Sequence, residues 1–164
     1  MKFELHRDLV AIDQPAGPAF VAELQRIWEA GDAAFPVDQR VPPPSREALF
    51  RQMGVGEPVE PGDALVVATS GSSGRPKGVV LTHAAIEASA QATSARLAAT
   101  ADDHWLACLP LSHVGGLSVI TRSLYTGCAL TVHSGFDPEA VMASGATLVS
   151  LVPTALARID PAVF

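Results

Sequence analysis

The segment from Ala68 to Gly78 combines residue types that bind phosphate groups. It reads Ala-Thr-Ser-Gly-Ser-Ser-Gly-Arg-Pro-Lys-Gly and directly follows the apolar run 64–68. Glycine lets the backbone curl so that N–H groups converge on an anion, hydroxyls add donors, and lysine adds a positive charge. The sequence therefore predicts a nucleotide-phosphate loop with these candidate ligands: Thr69, Ser70, Gly71, Ser72, Ser73, Gly74 and Lys77.

This loop differs from the common P-loop, in which a lysine is followed at once by serine or threonine. Pro76 precedes Lys77 and Gly78 follows it, so no hydroxyl stands beside the lysine to hold magnesium. A flexible surface linker is the alternative explanation of the composition. Its position between two apolar, strand-like segments disfavours that explanation.

Three segments resemble the adenylate-forming superfamily, which includes acyl-CoA ligases, luciferases and the adenylation domains of peptide synthetases. Residues 69–79 resemble its phosphate loop, which usually carries threonine where Ser73 stands. Residues 110–117, Pro-Leu-Ser-His-Val-Gly-Gly-Leu, resemble its Pro-x-x-His-x-x-Gly segment. Residues 149–154, Val-Ser-Leu-Val-Pro-Thr, resemble the turn that borders its acyl pocket. The closest likeness is to the o-succinylbenzoate–CoA ligases of menaquinone biosynthesis, carried by residues 110–118, 122–127 and 151–156.

The resemblance implies an ATP-dependent acyl-CoA ligase that activates a carboxylic acid, o-succinylbenzoate, as an acyl-adenylate before transfer to coenzyme A. It implies that the loop binds the β- and γ-phosphates and that His113 is a catalytic residue between the acyl and nucleotide sites. The implied cofactors are ATP and Mg²⁺, with coenzyme A as co-substrate. It implies an acyl site formed by His113, Gly115, Gly116, Val152, Pro153 and Thr154.

Several superfamily segments have no match before Phe164, including the Tyr-Gly-x-Thr-Glu segment for magnesium and adenine. We therefore expect an N-terminal portion of a larger ligase that does not complete adenylation alone, and no metal ligand within it. Two alternatives stay open. One is a ligase for another aryl or fatty acid; the other is a catalytically incomplete nucleotide- and acyl-binding module that acts through a partner protein. Homodimerisation, or pairing with the missing C-terminal part, is expected for exposed sheet edges.

The residue types themselves leave two roles open at the second motif. A neutral histidine donates to an anion and titrates near neutral pH, which suits catalysis, but His113 can also cap the helix that follows. Gly115 and Gly116 either admit an aromatic acyl group or allow close helix–strand packing. Cys108 and Cys128 stand in apolar strand-like contexts, so we expect buried structural thiols.

Composition bounds the class of protein. The 164 residues are 48% hydrophobic and carry a net charge of −6, which favours a globular core and disfavours nucleic-acid binding. The first eight residues are too charged for a signal peptide, and no apolar run reaches the roughly 20 residues of a membrane helix. We expect a cytoplasmic protein without a membrane span.

Hydrophobic periodicity predicts the elements that hold these motifs. Helices are predicted at 17–30, 45–53, 83–99, 117–125 and 138–144 and from Pro153 onward, and strands at 64–68, 79–81, 105–109, 129–132 and 147–151. This alternation predicts an α/β fold of layered sheets and helices, the N-terminal portion of an adenylate-forming enzyme. Residues 1–62 are predicted to be a helical and linker wrapping, and residues 63–164 an incomplete α/β core that carries the phosphate loop.

Overall fold

The computed structural model describes residues 6–69 and 75–163. Their strands form two sheets. The first has the order β1-β2-β3-β4 and contains β1 (Leu9–Ile12), β2 (Ala33–Pro36), β3 (Asp63–Thr69) and β4 (Lys77–Thr82). The second has the order β6-β5-β7 and contains β5 (His104–Ala107), β6 (Ala129–Val132) and β7 (Leu148–Val149).

The helices occur between and around these strands, which confirms the predicted α/β class. They are α1 (Pro18–Ala30), α2 (Pro43–Met53), α3 (His83–Leu97), α4 (Val114–Thr126), α5 (Pro138–Met142) and α6 (Pro153–Leu156), followed by a 3₁₀ turn at Pro161–Val163. Within the described ranges, none of the helices has the length and apolar character needed to cross a membrane. The chain divides into two compact units, the first made of the described residues in 6–14 and 19–84, the second of those in 15–18 and 85–163.

The first unit contains the four-stranded sheet. Strands β1, β2 and β3 are parallel, and β4 returns antiparallel to β3. Helix α1 buries Phe20, Leu24 and Ile27, the i, i+4, i+7 face that its sequence predicts. Trp28 fixes α1 against β3, because its Nε1 donates a hydrogen bond to the carbonyl oxygen of Ala64 at 2.9 Å.

Strands β1 and β2 were not predicted from the sequence, which indicated only helices and linkers before residue 63. All four residues of β2 are buried, so its pattern lacks the alternation that marks a strand with one solvated face. Both strands have only four residues, the shortest length at which alternation can be recognised. Strands β3 and β4 belong to the same sheet as β1 and β2. The domain boundary between residues 62 and 63 stays a prediction.

The second unit contains the three-stranded parallel sheet with β5 at its centre. Helix α4 connects β5 to β6, and α5 connects β6 to β7. Two predicted helix ends are confirmed. The Asp137 carboxylate caps α5 by accepting a hydrogen bond from the N–H of Ala140 at 2.8 Å. Gly127 ends α4 in the left-handed conformation, with φ of 75°. Both cysteines are buried and free, as expected.

Asp103 joins the beginnings of β5 and β7. Its carboxylate accepts hydrogen bonds from the Thr100 N–H at 2.7 Å and from the Thr147 hydroxyl at 2.8 Å. The same hydroxyl accepts the N–H of His104 at 2.9 Å. The bonds from Thr100 and Thr147 hold the pKa of Asp103 below its usual value of 3.8. Because these bonds favour the ionised carboxylate, they contribute stability above the usual pKa that is lost as pH falls through the lowered one.

We predict that Asp103→Asn lowers the urea midpoint of unfolding at about pH 7 and that the difference from wild type shrinks at about pH 2.5. As the pH falls through the lowered pKa, the wild-type carboxyl is protonated and loses the ionic hydrogen bonds. Asp102→Asn is the matched control, since Asp102 is exposed and its carboxylate has no hydrogen bond within the described chain. If the urea midpoints of Asp103→Asn and wild type differed equally at both pH values, the stabilising role of the Asp103 carboxylate would be contradicted.

Candidate active site

The β3–β4 hairpin carries the two ends of the predicted phosphate loop. Thr69 and Lys77 are paired across the hairpin, and the Thr69 hydroxyl donates to the Lys77 carbonyl oxygen at 3.2 Å. Both residues are exposed, and Lys77 forms no ion pair with any carboxylate in the described ranges. Its ammonium is therefore available to an anion from solution. The other predicted ligands lie outside the described residues: Ser70, Gly71, Ser72, Ser73 and Gly74.

The predicted acyl-site residues lie in the second unit, after two neighbouring parallel strands. His113 follows β5, and Val152, Pro153 and Thr154 follow β7. The carboxyl ends of parallel strands meet at one edge of a sheet, and open α/β sheets bind ligands at that edge. All four residues are exposed there. The structure thus brings the two segments to the same sheet edge, while their binding roles stay predictions.

His113 occupies the N-cap position of α4, with extended backbone angles of φ −117° and ψ 149°. Its carbonyl oxygen accepts the N–H groups of Gly116 and Leu117 at 3.1 and 3.0 Å. Its imidazole makes no capping hydrogen bond, which removes the capping role that the sequence left open. The histidine is exposed at the start of the helix. Its catalytic role stays a prediction.

The two glycines of the second motif have different surroundings. A Cβ atom on Gly116 would lie 2.5 Å from the carbonyl oxygens of both Leu109 and Pro110, a distance that no side chain tolerates. A Cβ atom on Gly115 would meet only Leu109 Cδ1, at an ordinary contact of 3.7 Å. Close packing therefore requires glycine at 116, whereas position 115 is exposed and would accept a Cβ atom without a clash.

Arg122 is a candidate site residue that sequence reasoning missed. Its guanidinium lies over the ring of Trp105, 5.5 Å from the ring centroid, and its NH1 donates to the Ser150 hydroxyl at 3.2 Å. Its buried Nε has no hydrogen-bond partner, and no described carboxylate pairs with it. Burial lowers the pKa of this guanidinium, because the charged form is separated from water.

A half-buried cation is costly unless nearby groups offset its lost hydration, and here the Trp105 ring and the Ser150 hydroxyl do so in part. Ser150 stands two residues before Val152, and thus places Arg122 beside the predicted acyl segment. The sequence offered one signal, an arginine in the otherwise apolar and polar-neutral helix 114–126, but a lone arginine is more often a surface residue.

An apolar groove of about 350 Å³ runs beside β7 and α6. Its walls include Trp105, Leu148, Leu151, Leu156 and Ile159. None of the predicted acyl-site residues forms part of its lining. In the described ranges, no group of three or more histidine, cysteine, aspartate or glutamate side chains could hold a metal ion.

A family model described as AMP-binding enzyme matches residues 53–162, two thirds of the chain. The chain belongs to this family of adenylate-forming enzymes. The match includes all three segments on which the resemblance rested, and so confirms it.

The relatives and solved structures that are similar extend well beyond this chain. The probable 2-succinylbenzoate–CoA ligase of Mycobacterium tuberculosis is 39% identical over 166 aligned positions, which cover 93% of this chain and 42% of that protein. A variant of Escherichia coli MenE with bound OSB-AMS has a TM-score of 0.79 at 25% identity, and 93% of this chain covers 40% of it. The Bacillus subtilis o-succinylbenzoate coenzyme A synthetase, solved with ATP and magnesium, shares the fold with a TM-score of 0.80 at 23% identity, over 92% of this chain and 52% of that one. The chain thus spans about two fifths of the length of its M. tuberculosis relative.

We predict that Gly116→Ala destabilises the chain by about 3 kcal/mol, because α4 must move off the two carbonyl oxygens. Gly115→Ala, one residue earlier on the same helix, is expected to change the unfolding free energy by less than about 1 kcal/mol. Urea titrations followed by circular dichroism measure both values. Equal stability of the two variants would show that the close contact at residue 116 does not govern how α4 packs.

Proposed function

We propose that this chain is the N-terminal part of an ATP-dependent 2-succinylbenzoate–CoA ligase. The observation that carries the proposal is the 39% identity to the M. tuberculosis ligase over 93% of the chain. Such a ligase joins a carboxylate to the α-phosphate of ATP, expels pyrophosphate and passes the acyl group to coenzyme A. The remaining part of the ligase polypeptide is then the partner of this chain, and a cytoplasmic location suits the small-molecule substrates.

Most of the task of this chain is electrostatic, because the carboxylate and the triphosphate repel each other and must be held together. The exposed Lys77 ammonium fits a phosphate oxygen, since it has no competing carboxylate within the described ranges. Magnesium, when bound, would neutralise charge on the phosphates. We assign its ligands mostly to other parts of the ligase.

The substrate part of the proposal is supported by Arg122. A succinylbenzoate carries two carboxylates, of which adenylation consumes one. The other must be recognised away from water, and a half-buried guanidinium without an acidic partner is suited to that. The buried ring of Trp105 lies against the guanidinium and helps to hold it in place. A ligase for fatty acids has no use for a second cation in its acyl site, so these contacts favour the dicarboxylate over that alternative.

The test is a complete enzyme, made by replacing the matched N-terminal part of the M. tuberculosis ligase with residues 1–163 of this chain. We expect pyrophosphate release and thioester formation with 2-succinylbenzoate, ATP, Mg²⁺ and coenzyme A. Benzoate and octanoate, which each lack the second carboxylate, are expected to react at least about tenfold less efficiently, the value of one charged hydrogen bond. Equal kcat/KM for octanoate and 2-succinylbenzoate would contradict the proposal.

Two arginine variants of the same enzyme test whether Arg122 is responsible for the preference for 2-succinylbenzoate. Arg122→Ala is expected to lower kcat/KM for 2-succinylbenzoate by about tenfold to a hundredfold and to leave that for benzoate nearly unchanged. Arg158→Ala is the matched control, because Arg158 also lies over an aromatic ring, that of Phe136, but is exposed. If Arg122→Ala lowered kcat/KM equally for 2-succinylbenzoate and benzoate, Arg122 would have a packing role and no role in substrate recognition.

A further inference from the structure

The residues before and after Lys77, Pro76 and Gly78, both contact side chains of helix α2. On one side, the side-chain amide of Gln52 donates a hydrogen bond to the carbonyl oxygen of Pro76 at 2.6 Å. On the other side, a Cβ atom at Gly78 would lie 2.9 Å from Val66 Cγ1 and 3.4 Å from Met53 Sδ. The backbone at Gly78 therefore lies directly against these two side chains.

Strand β4 needs such support, because it is the edge of its sheet and is exposed along residues 77–80. Val79 and Val80 retain 44% and 51% of their surface in solvent, so this part of the strand is held mainly by its pairing with β3. Strand ends of this kind open locally at low free-energy cost. Without the contacts from α2, the position of Lys77 would vary with that opening.

Helix α2 is itself well anchored at this end. Met53 is buried in the core cluster that contains Phe35 and Val66. Gly54 ends the helix with φ of 79°, and its N–H donates to the carbonyl oxygen of Phe50. The last turn of α2 is therefore a rigid support from which Gln52 reaches the hairpin.

We propose that Gln52 is a positioning residue that holds Lys77 in place to contact a phosphate group. A lysine ammonium ends a flexible stem, so fixing its backbone removes part of the freedom that phosphate binding would otherwise have to remove. Gln52 stands one residue before the segment that the family model matches. The inference rests on the proposed function in taking Lys77 as a phosphate ligand.

The contact itself is tested by limited trypsin digestion of the chain. Trypsin cleaves after lysine and arginine but not before proline, so Arg75–Pro76 resists and cleavage at Lys77–Gly78 reports opening of β4. Gln52→Met and Gln52→Glu both remove the donor, the second with nearly the same shape. We expect about threefold to fivefold faster cleavage at this bond in both, with the urea midpoint lowered by no more than the loss of this one hydrogen bond accounts for. Gln91→Met, on α3, removes an exposed amide that donates to Glu87 at 3.1 Å and is expected to cleave at the wild-type rate.

The positioning role is tested by adding inorganic pyrophosphate to the same digestion. In wild type we expect pyrophosphate to slow cleavage at Lys77–Gly78, and in Gln52→Met the half-protecting concentration should rise about threefold or more. Wild-type cleavage rates in both Gln52 variants would overturn the inference. So would faster cleavage with unchanged pyrophosphate dependence, because Gln52 would then be only structural. If pyrophosphate protects neither protein, the phosphate role of Lys77 and the positioning role of Gln52 fall together, while the ligase proposal is decided separately by the hybrid enzyme.

Discussion

The start of α4 lies against the carbonyl oxygens of Leu109 and Pro110, and the candidate acyl site depends on this contact. The two oxygens occupy the space in which any side chain at residue 116 would lie, so the helix reaches this depth only with glycine there. The same approach sets His113 at the N-cap, where its carbonyl oxygen accepts the first N–H groups of the helix. A methyl group at residue 116 would push α4 outward, and the His113 imidazole would move with the helix away from the carboxyl end of β5.

A second set of contacts aligns β7 with the neighbouring strand β5. Asp103 and Thr147 join the beginnings of β5 and β7, and Arg122 reaches from α4 to Ser150 at the end of β7. Together they align the segment after β7 with the segment after β5 at one sheet edge. Arg122 contributes this link while its charge lacks a described acidic partner. An arrangement optimised only for stability would pair that charge or replace it with an apolar side chain, which supports a ligand-binding role.

The sequence predicted some element limits from their turn and cap residues. Asp137 before Pro138 predicted the start of α5, and Gly127 predicted the end of α4, because each has a stereochemical reason to stand there. Strands β1 and β2 escaped prediction because each has only four residues and neither alternates between buried and exposed positions. Their pairing, β1 with β2 and β2 with β3, comes from the tertiary fold.

The candidate site was predictable as motifs but not as geometry. The phosphate loop and the histidine segment were visible because several special residues occur together at fixed spacing. The different roles of Gly115 and Gly116 depend on how the loop after β5 folds back, which no local pattern encodes. Arg122 and Gln52 each depend on one contact between residues at least 24 positions apart, so only the folded chain brings their partners together.

The central claim, that Lys77 meets the phosphates of ATP, is open to one direct measurement. The chain has two lysines, Lys2 and Lys77, so reductive methylation with ¹³C gives two lysine resonances in addition to that of the terminal amine. Substitution of each lysine by arginine assigns them. The account predicts that ATP shifts the Lys77 resonance in a saturable way and leaves that of Lys2 in place. A Lys77 resonance that does not move, or equal shifts of both, would contradict it.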